Sequence, residues 1–597
     1  MSSSVSFSER LQALRDALDA TGVDAFLLPR ADQHLGEYLP ESEERLRWLT
    51  GFTGSMGVAL VTKDQALLFV DGRYTLQAAD QLDGAHWAVE HLIQTPPASY
   101  IEEHLKGAKV AFDPRLHSIS AARRLEKAAT SFGGELVPLT PNPIDALWDE
   151  RPAAPQEQVV SHPLCYSGQS HAEKIAALAQ SLQTREVEAT ILNQLDSIAW
   201  LFNIRGSDMA FTPLATAYAF LHADGTAELF LDPAKIDESL RDWLGNGVAL
   251  RPFEEVGHAL EELGQTKKTV SLDPASCSAW VRETLSNAGA EIQEAEDPVM
   301  LPRALKNPVE ISGTRAAHIR DAAAVARFLH WLDVETPGGH VDEIAAEEAL
   351  QGFRSALPLW RGPSFSTISG AGPNGAIVHY HATPETSCKL EAGSLYLVDS
   401  GAQFLDGTTD ITRTIAIGEP DEEMRCCFTL VLKGHIALAT ARVPVGTSGV
   451  QLDALARQHL WREGLDFDHG TGHGVGSYLG VHEGPQRISS QGRVEIKPGM
   501  IISNEPGYYK TGAFGIRLEN LVIAVESRPN KDSGKQMLSF ETITFAPFDR
   551  RCIEVSLLDK AERDWLNHYH AIVKKKVSFQ LKDAATLAWL EAACAPI

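Results

Sequence analysis

The stretch from 394 to 417, SLYLVDSGAQFLDGTTDITRTIAI, predicts two neighbouring β-strands with acidic side chains near their ends. Its first half is a continuous apolar run and its second half alternates apolar with polar residues, both typical of strands. Asp399 and Asp410 are eleven positions apart, with a glycine-containing turn between them. A carboxylate in a sheet core is costly unless it is neutralised, hydrogen-bonded or paired with a cation. The stretch therefore predicts a positive group facing both aspartates.

Three more potential metal ligands follow. His473 lies in a predicted glycine-rich loop, DHGTGHGVGSYLG, whereas Glu505 comes shortly after the apolar run MIIS and Glu519 follows IRL. Any one of these acids alone could be a solvated strand end or a helix cap. Four crowded carboxylates would repel one another, whereas two divalent ions would balance their charge. We therefore predict a two-metal site, whose oxygen-rich ligands favour Mn²⁺, with Co²⁺, Fe²⁺ or Zn²⁺ as alternatives.

Three further histidines flank these positions. They are His379 in AIVHYH, His469 in DHGTGH and His482 in VHEGP. A single histidine on a strand is more often a core or surface residue, but three beside a metal site indicate proton transfer and hydrogen bonds to substrate. The glycines around His469 form neither a Walker A motif nor a dinucleotide-binding fingerprint, so a phosphate-binding loop is not indicated.

The overall composition limits the classes of partner. The chain has 597 residues, 44% hydrophobic and 22% charged, with a formal net charge of −26. Nucleic acid and anionic membranes need a basic surface, so neither is expected as a partner. Seven scattered cysteines without CxxC spacing form neither a disulfide framework nor a zinc-thiolate set. No apolar run is long enough to span a membrane and no secretory leader is evident, so we expect a cytoplasmic protein.

The chain length predicts several domains, and one repeated fragment relates two of them. WLTGFTGS (48–55) and WLFNIRGS (200–207) share Trp, Leu, Gly and Ser, and each lies between a helical stretch and a strand pattern. We therefore expect related α/β folds for domains at 1–140 and 156–302, joined by a proline- and acid-rich linker. A third domain would occupy 303–597. Its C-terminal extension from about 548 is either a subunit contact or a packed chain end.

The order Asp, Asp, His, Glu, Glu at these spacings resembles the pita-bread metallopeptidases, which include methionine aminopeptidase, prolidase and aminopeptidase P. The likeness is greatest to the long, three-domain cytosolic type of aminopeptidase P, and it covers nearly the whole chain. The sequences that carry it include RLRWLTGFTGSMGVALVT, LDSIAWLFNIRGSD, GPSFSTISGAGPNGAIVHY, LVDSGAQFLDGTTDITRT, HGTGHGVGSYLGVHEGP and SNEPGYY. It implies an α/β (α+β) fold, in which two creatinase-like domains precede a C-terminal pita-bread catalytic domain.

The resemblance also implies a role for each metal ligand. Asp399 would bind one metal, Asp410 and Glu519 would bridge both, and His473 and Glu505 would hold the other. This sequence does not depart from the family pattern at any of the five positions.

Further residues match the family's catalytic and substrate-binding groups. His379, His469 and His482 match its substrate and proton-shuttle histidines. Glu505 would also serve as general base, and Arg517 matches an arginine that supports a metal ligand. Arg45, in the first domain, would reach substrate across a subunit or domain boundary.

The activity implied by the resemblance is removal of the first residue from peptides with proline second, by attack of a hydroxide that bridges the two metals. Xaa-Pro bonds need a dedicated site because proline lacks an N–H and restricts the backbone. A homodimer is also implied. The alternatives are a prolidase acting on Xaa-Pro dipeptides, a creatinase-like hydrolase and a catalytically silent binding protein. The two N-terminal domains argue against prolidase, and the retained metal ligands argue against the other two.

Overall fold

The structure is a computed structural model that describes residues 6–529 and 531–597. It divides into two compact units, one of Met1–Leu164 with Gln169–Val299 and the other of Cys165–Gly168 with Met300–Ile597. Among the described residues, no helix combines the length and the apolar character needed to cross a bilayer. The N-terminal helix runs from Phe7 to Thr21, and residues 1–5 lie outside the described chain.

The first unit contains two six-stranded sheets, both within residues 6–299, that share one strand order. In each sheet the pairings across that order are parallel, antiparallel, antiparallel, parallel and parallel. The first sheet comprises Ala88–His91, Ala66–Val70, Val58–Thr62, Ala25–Pro29, Lys109–Phe112 and Glu135–Pro138. The second comprises Val248–Pro252, Ala227–Leu231, Tyr218–His222, Ala189–Leu192, Thr269–Leu272 and Glu291–Glu294. The common order confirms that the two domains have related folds.

Helices cover both sheets. Those of the first domain are Phe7–Thr21, Arg45–Thr50, Thr75–Gln81, Pro97–His104, Ile119–Thr130 and Pro143–Leu147. Those of the second are His171–Thr184, Leu195–Phe202, Glu238–Leu244, Val256–Gln265 and Ala279–Ala288. The two repeated fragments occupy equivalent places, since each ends a helix with a left-handed residue. Gly51 has φ 78° and Asn203 has φ 51°, and these residue types best tolerate that conformation.

The two domains of the first unit meet through equivalent helix starts. Ser118 and Ser278, which precede the helices Ile119–Thr130 and Ala279–Ala288, form an antiparallel bridge. The N–H of Ile119 donates to the carbonyl of Cys277 at 3.0 Å, and the N–H of Ala279 donates to the carbonyl of His117 at 2.9 Å. Ile119 is equivalent to Ala279 in the two repeats, and His117 is equivalent to Cys277. Each repeat therefore donates and accepts the same bond, which is the relation produced by a local two-fold axis.

The second unit combines antiparallel sheets with long helices. One sheet comprises Val443–Pro444, Met537–Thr542, Asn520–Ser527, Ile501–Asn504, Gly472–Gly474 and Glu483–Ile488. Other sheets comprise Ile368–Ala371 with Ser394–Ser400 and Ile411–Ile417, Trp360–Pro363 with Ala402–Phe404 and Gly407–Thr408, and Gly507–Lys510 with Phe514–Arg517. The helices are Met300–Ala304, Pro308–Glu335, Glu343–Ser355, Glu422–Ala439, Gly449–Trp461, Lys560–Val577 and Ala584–Ala593.

The C-terminal extension packs onto the core of its own unit. Leu566, Val573 and Leu590 are buried in one apolar cluster with Phe428 and Leu432 of the helix Glu422–Ala439. Burying large apolar side chains is worth about 1.5–3 kcal/mol each, so this segment contributes to folding. The packing favours the alternative of a packed chain end.

Candidate active site and metal centre

Asp399 and Asp410 come together because their strands pair. Asp399 is the penultimate residue of Ser394–Ser400, and Asp410 immediately precedes Ile411–Ile417. The two strands are antiparallel, with Asp399 opposite Thr412. Both aspartates are buried, so each carboxylate needs a partner within the protein or a bound cation.

Glu505 and Glu519 lie at matching ends of another strand pair. Glu505 directly follows Ile501–Asn504, and Glu519 directly precedes Asn520–Ser527. These strands pair antiparallel, with their terminal asparagines opposite each other. Glu519 is 2% exposed, and its Oε2 accepts a hydrogen bond from the Thr412 hydroxyl at 2.8 Å, which ties the two strand pairs together.

His473 lies in the short strand Gly472–Gly474, whereas the sequence predicted a loop. A Cβ at position 472 would collide with the carbonyl oxygen of Ser503, so glycine lets the strands approach closely. The Ser503 hydroxyl accepts the backbone N–H of His473 at 2.9 Å. The glycine-rich sequence therefore forms part of the sheet that carries the site.

The imidazole of His473 faces the acids. Its Nε2 lies 3.5 Å from Asp410 Oδ2 and 3.4 Å from Glu505 Oε1, while its Nδ1 lies 2.8 Å from the Gly474 carbonyl oxygen. That carbonyl accepts the Nδ1 proton, which leaves Nε2 for the acids or a metal. Ligand atoms of Asp410, His473 and Glu519 all lie within 4.8 Å of one another.

The electrostatics of the cluster fit divalent cations. Burial and the neighbouring carboxylates raise the pKa of Asp399, Glu505 and Glu519. Burial lowers the pKa of His473, but Asp410 and Glu505 outweigh it and raise that pKa to about 9. Among the described residues, Asp399 Oδ1 and Glu519 Oε1 are buried and accept no hydrogen bond. Unsatisfied carboxylate oxygens in a crowded acidic cluster are suitable ligands for Mn²⁺, Mg²⁺ or similar ions.

Arg517 and Tyr509 extend the site from Asp399 towards His469. Arg517 Nη2 donates to Asp399 Oδ2 at 2.8 Å, and Nη1 donates to the Tyr509 hydroxyl at 2.6 Å. The same hydroxyl lies 2.7 Å from His469 Nε2. Tyr509 belongs to the motif SNEPGYY, and the sequence predicts no role for it. Its only signal was its place beside the predicted ligand Glu505.

Of the other two predicted histidines, one contacts the cluster and the other follows a residue that does. The half-buried His379 directly follows Val378, whose carbonyl accepts a hydrogen bond from Arg517 Nη2 at 3.3 Å. The exposed His482 packs edge-on against His473, with ring centroids 4.4 Å apart. His482 therefore contacts the cluster directly, whereas His379 is linked to it through the backbone of Val378.

Arg45 belongs to the first unit, where carboxylates of its own domain hold it. Its Nε donates to Asp145 at 2.6 Å, its Nη2 donates to the same carboxylate at 3.1 Å, and its Nη1 donates to Glu43. The side chain is 7% exposed. A contact between Arg45 and substrate stays a prediction.

A buried group of carboxylates around an imidazole, with ligand atoms of Asp410, His473 and Glu519 within 4.8 Å, is typical of a metal-dependent enzyme. Residues 312–526 match the model of metallopeptidase family M24, and residues 536–597 match the C-terminal region of peptidase M24. Residues 10–147 and 150–310 each match a Creatinase/Prolidase N-terminal domain. With the full-length relatives described next, these matches show that the chain belongs to the metallopeptidase family M24. The predicted fold class and the assignment as a peptidase are confirmed.

Relatives match over the full length. A probable Xaa-Pro aminopeptidase P of Coccidioides posadasii (strain C735) is 41% identical over 613 residues, which cover 99% of this chain and 94% of that protein. Its counterpart in Laccaria bicolor is 41% identical over 610 residues, with the same coverage. The crystal structure of X-prolyl aminopeptidase from Caenorhabditis elegans, described as a cytosolic enzyme with a di-nuclear active site, matches with TM-score 0.95 and 34% identity over both whole chains. A prolidase from Thermococcus sibiricus, at 21% identity and TM-score 0.51, shares the fold over 64% of this chain.

Proposed function

We propose that this peptidase releases the N-terminal residue from peptides whose second residue is proline, using two divalent metal ions. The observation that carries the proposal is the convergence of Asp410, His473 and Glu519, with ligand atoms within 4.8 Å, beside the unsatisfied oxygen of Asp399. The full-length likeness to Xaa-Pro aminopeptidases supplies the substrate class.

Asp399, Asp410, His473, Glu505 and Glu519 would hold the metal ions. When bound, the ions would supply Lewis acidity that polarises the scissile carbonyl and lowers the pKa of water. Arg517 fixes the orientation of Asp399 through paired hydrogen bonds. The carboxylate of Glu505, which accepts from the Ser503 hydroxyl at 3.0 Å, acts as the base that takes the proton of the attacking water.

The surrounding histidines handle substrate and protons. His379 and His482 donate to the peptide oxygens, including the carbonyl oxygen that gains negative charge. The proton that Glu505 takes from the water goes to the leaving proline nitrogen, and His469, held at Nε2 by the Tyr509 hydroxyl at 2.7 Å, assists that transfer. Proline has no N–H to satisfy, so a site that relies on donors to carbonyl oxygens can accept it.

Metal identity, assembly, location and domain limits are parts of the same proposal. The oxygen-rich ligand set supports Mn²⁺. The chain acts in the cytoplasm, which the seven free thiols and the description of the C. elegans enzyme as cytosolic support. A homodimer is proposed from the family resemblance alone. Domain limits at 1–140, 156–302 and 303–597 are supported by the spans of the matched families. Light scattering after gel filtration tests the dimer, and a species of 65.0 kDa would contradict it.

The deciding experiment compares three peptides. Mn²⁺-loaded protein is incubated with Arg-Pro-Pro, Arg-Pro and Arg-Ala-Ala, beside a chelated sample, and free arginine is followed by mass spectrometry. We expect release from Arg-Pro-Pro that is absent from Arg-Ala-Ala and abolished by the chelator. Release from Arg-Pro alone would establish a prolidase. If no peptide releases arginine while metal is bound, the result would contradict the proposal and favour a catalytically silent binding protein.

A further inference from the structure

Glu343 is a fully buried acid outside the metal cluster. It opens the helix Glu343–Ser355, and none of its surface is exposed. Among the described residues, its carboxylate oxygens meet hydrogen-bond donors from one loop. These are the Ala371 N–H at 2.7 Å, the Asn374 side-chain amide at 3.0 Å, the Tyr380 hydroxyl at 2.9 Å and the Cys388 N–H at 2.9 Å.

All these donors belong to the segment 371–388, which carries His379. Ala371 lies at its entry, Tyr380 directly follows His379, and Cys388 lies at its exit. The main chain adds a further link, because the N–H of Glu343 donates to the Cys388 carbonyl at 3.1 Å. One side chain therefore fastens both ends and the middle of the segment, much of which is otherwise exposed between 381 and 389.

The chemistry of position 343 requires a carboxylate. An ionised carboxylate is acceptor-only and can receive about four hydrogen bonds, which matches the donors that face it. The start of a helix also favours negative charge. Glutamine would turn an –NH₂ group towards N–H donors and would leave buried donors unsatisfied. Aspartate would keep the charge but would withdraw it by one methylene.

We infer that Glu343 is a positioning residue, which fixes the loop 371–388 so that His379 is held beside the metal cluster. This inference rests on the proposed function. The same loop also meets the cluster through Val378, whose carbonyl accepts from Arg517 at 3.3 Å. Releasing Glu343 would free His379 while leaving the metal ligands themselves in place.

The test compares Glu343→Gln with Glu562→Gln, both in the Mn²⁺-loaded full chain. Glu562 is a suitable control because its carboxylate likewise accepts more than one hydrogen bond, from Lys433 and from a backbone N–H, but lies on the helix Lys560–Val577. We expect E343Q to lower kcat/KM for Arg-Pro-Pro about 10-fold or more, with two metals per chain retained and E562Q unaffected. Hydrogen exchange should rise in 371–388 in E343Q alone. Glu343→Asp, which keeps the charge, should fold and restore part of the activity.

A double-mutant cycle with His379→Ala separates positioning from general damage. If Glu343 acts through His379, adding E343Q to H379A should lower kcat/KM by less than about a further twofold, because the group being positioned is already absent. The inference would be overturned if the losses in kcat/KM of the two single variants multiply in the double variant, or if hydrogen exchange in 371–388 is unchanged in E343Q. If wild type releases no arginine from any peptide, the proposed function fails. The exchange comparison then still decides whether Glu343 fixes the loop.

Discussion

Arg517 donates two hydrogen bonds to one oxygen of Asp399, from Nε at 3.2 Å and from Nη2 at 2.8 Å. The other oxygen of Asp399 accepts none from the described residues. The planar guanidinium therefore holds one carboxylate oxygen and leaves the second available to a metal ion. An ammonium group cannot reproduce this geometry, because it is a point charge on a flexible stem.

Arg517→Lys should therefore lower kcat/KM for Arg-Pro-Pro by about 10- to 100-fold, the usual cost of losing a residue that orients a metal ligand. Steady-state kinetics at saturating Mn²⁺ measures it. Arg315→Lys is the control, since Arg315 binds Glu541 with two nitrogens on the surface of the same unit. Equal activities of R517K and wild type would show that the arginine does not orient Asp399.

Tyr509→Phe removes the hydroxyl that joins Arg517 to His469. We expect kcat to fall about 10-fold, because His469 loses the partner that holds its Nε2. The control is Tyr508→Phe at the neighbouring position, whose hydroxyl has no hydrogen bond in the described part of the chain. A fall in kcat for both variants alike would point to strand packing instead of the hydroxyl.

Asp410→Asn should reduce the bound metal below two ions per chain and abolish peptide release, since an amide does not supply the negative charge that the carboxylate would offer to a metal ion. Elemental analysis after dialysis gives the metal content. Asp406→Asn is matched to it, because Asp406 is also largely buried but forms an ion pair with Arg320 at 2.7 Å. Full metal content in D410N would remove Asp410 from the ligand set.

The buried environment of His570 predicts that the folded protein loses stability in acid. Burial and then Arg413 lower its pKa to about 3, and its Nε2 accepts the Phe548 N–H at 3.2 Å. In the unfolded chain the imidazole of His570 binds a proton below about pH 6.5, whereas in the folded chain it stays neutral down to about pH 3. The contribution of the neutral imidazole to folding stability is therefore fully present above about pH 6.5 and is lost as the pH falls towards about 3. At pH 5 the loss is about 2 kcal/mol.

Thermal unfolding at pH 7.5 and 5 checks this linkage. His570→Gln should reduce the fall in melting temperature, whereas His568→Gln, at an exposed position on the same helix, should not. Parallel pH profiles for wild type and H570Q would exclude His570 as a source of the acid sensitivity.

Arg45→Lys tests the proposed substrate contact. We expect a higher KM for Arg-Pro-Pro at unchanged kcat, with a lower melting temperature because Asp145 loses its two-nitrogen partner. Arg151→Lys is the control, since Arg151 pairs with the same acids, Glu43 and Asp145. A lower melting temperature with unchanged KM would show that Arg45 acts only through its ion pair and does not contact substrate.

The sequence carried enough information to bring the acids of the site together, because apolar runs that end in carboxylates are recognisable and strand ends meet at sheet edges. It missed Tyr509, since a tyrosine in a strand is usually a packing residue. The sequence predicted a loop at His473, because glycine normally interrupts a strand. In the structure Gly472 instead permits two strands to approach closely. Glu343 was missed because its donors are backbone and neutral side chains of a distant loop, which leave no charge pattern.

The reciprocal bridge between Ser118 and Ser278 has the geometry of an interface between two copies of one protein. A single chain now carries both copies, so the contact is intramolecular. Its effective concentration is set by the connecting segment and does not change when the protein is diluted. A pairing that two separate subunits would make reversibly has thus become a permanent feature of each molecule, independent of whether whole chains associate.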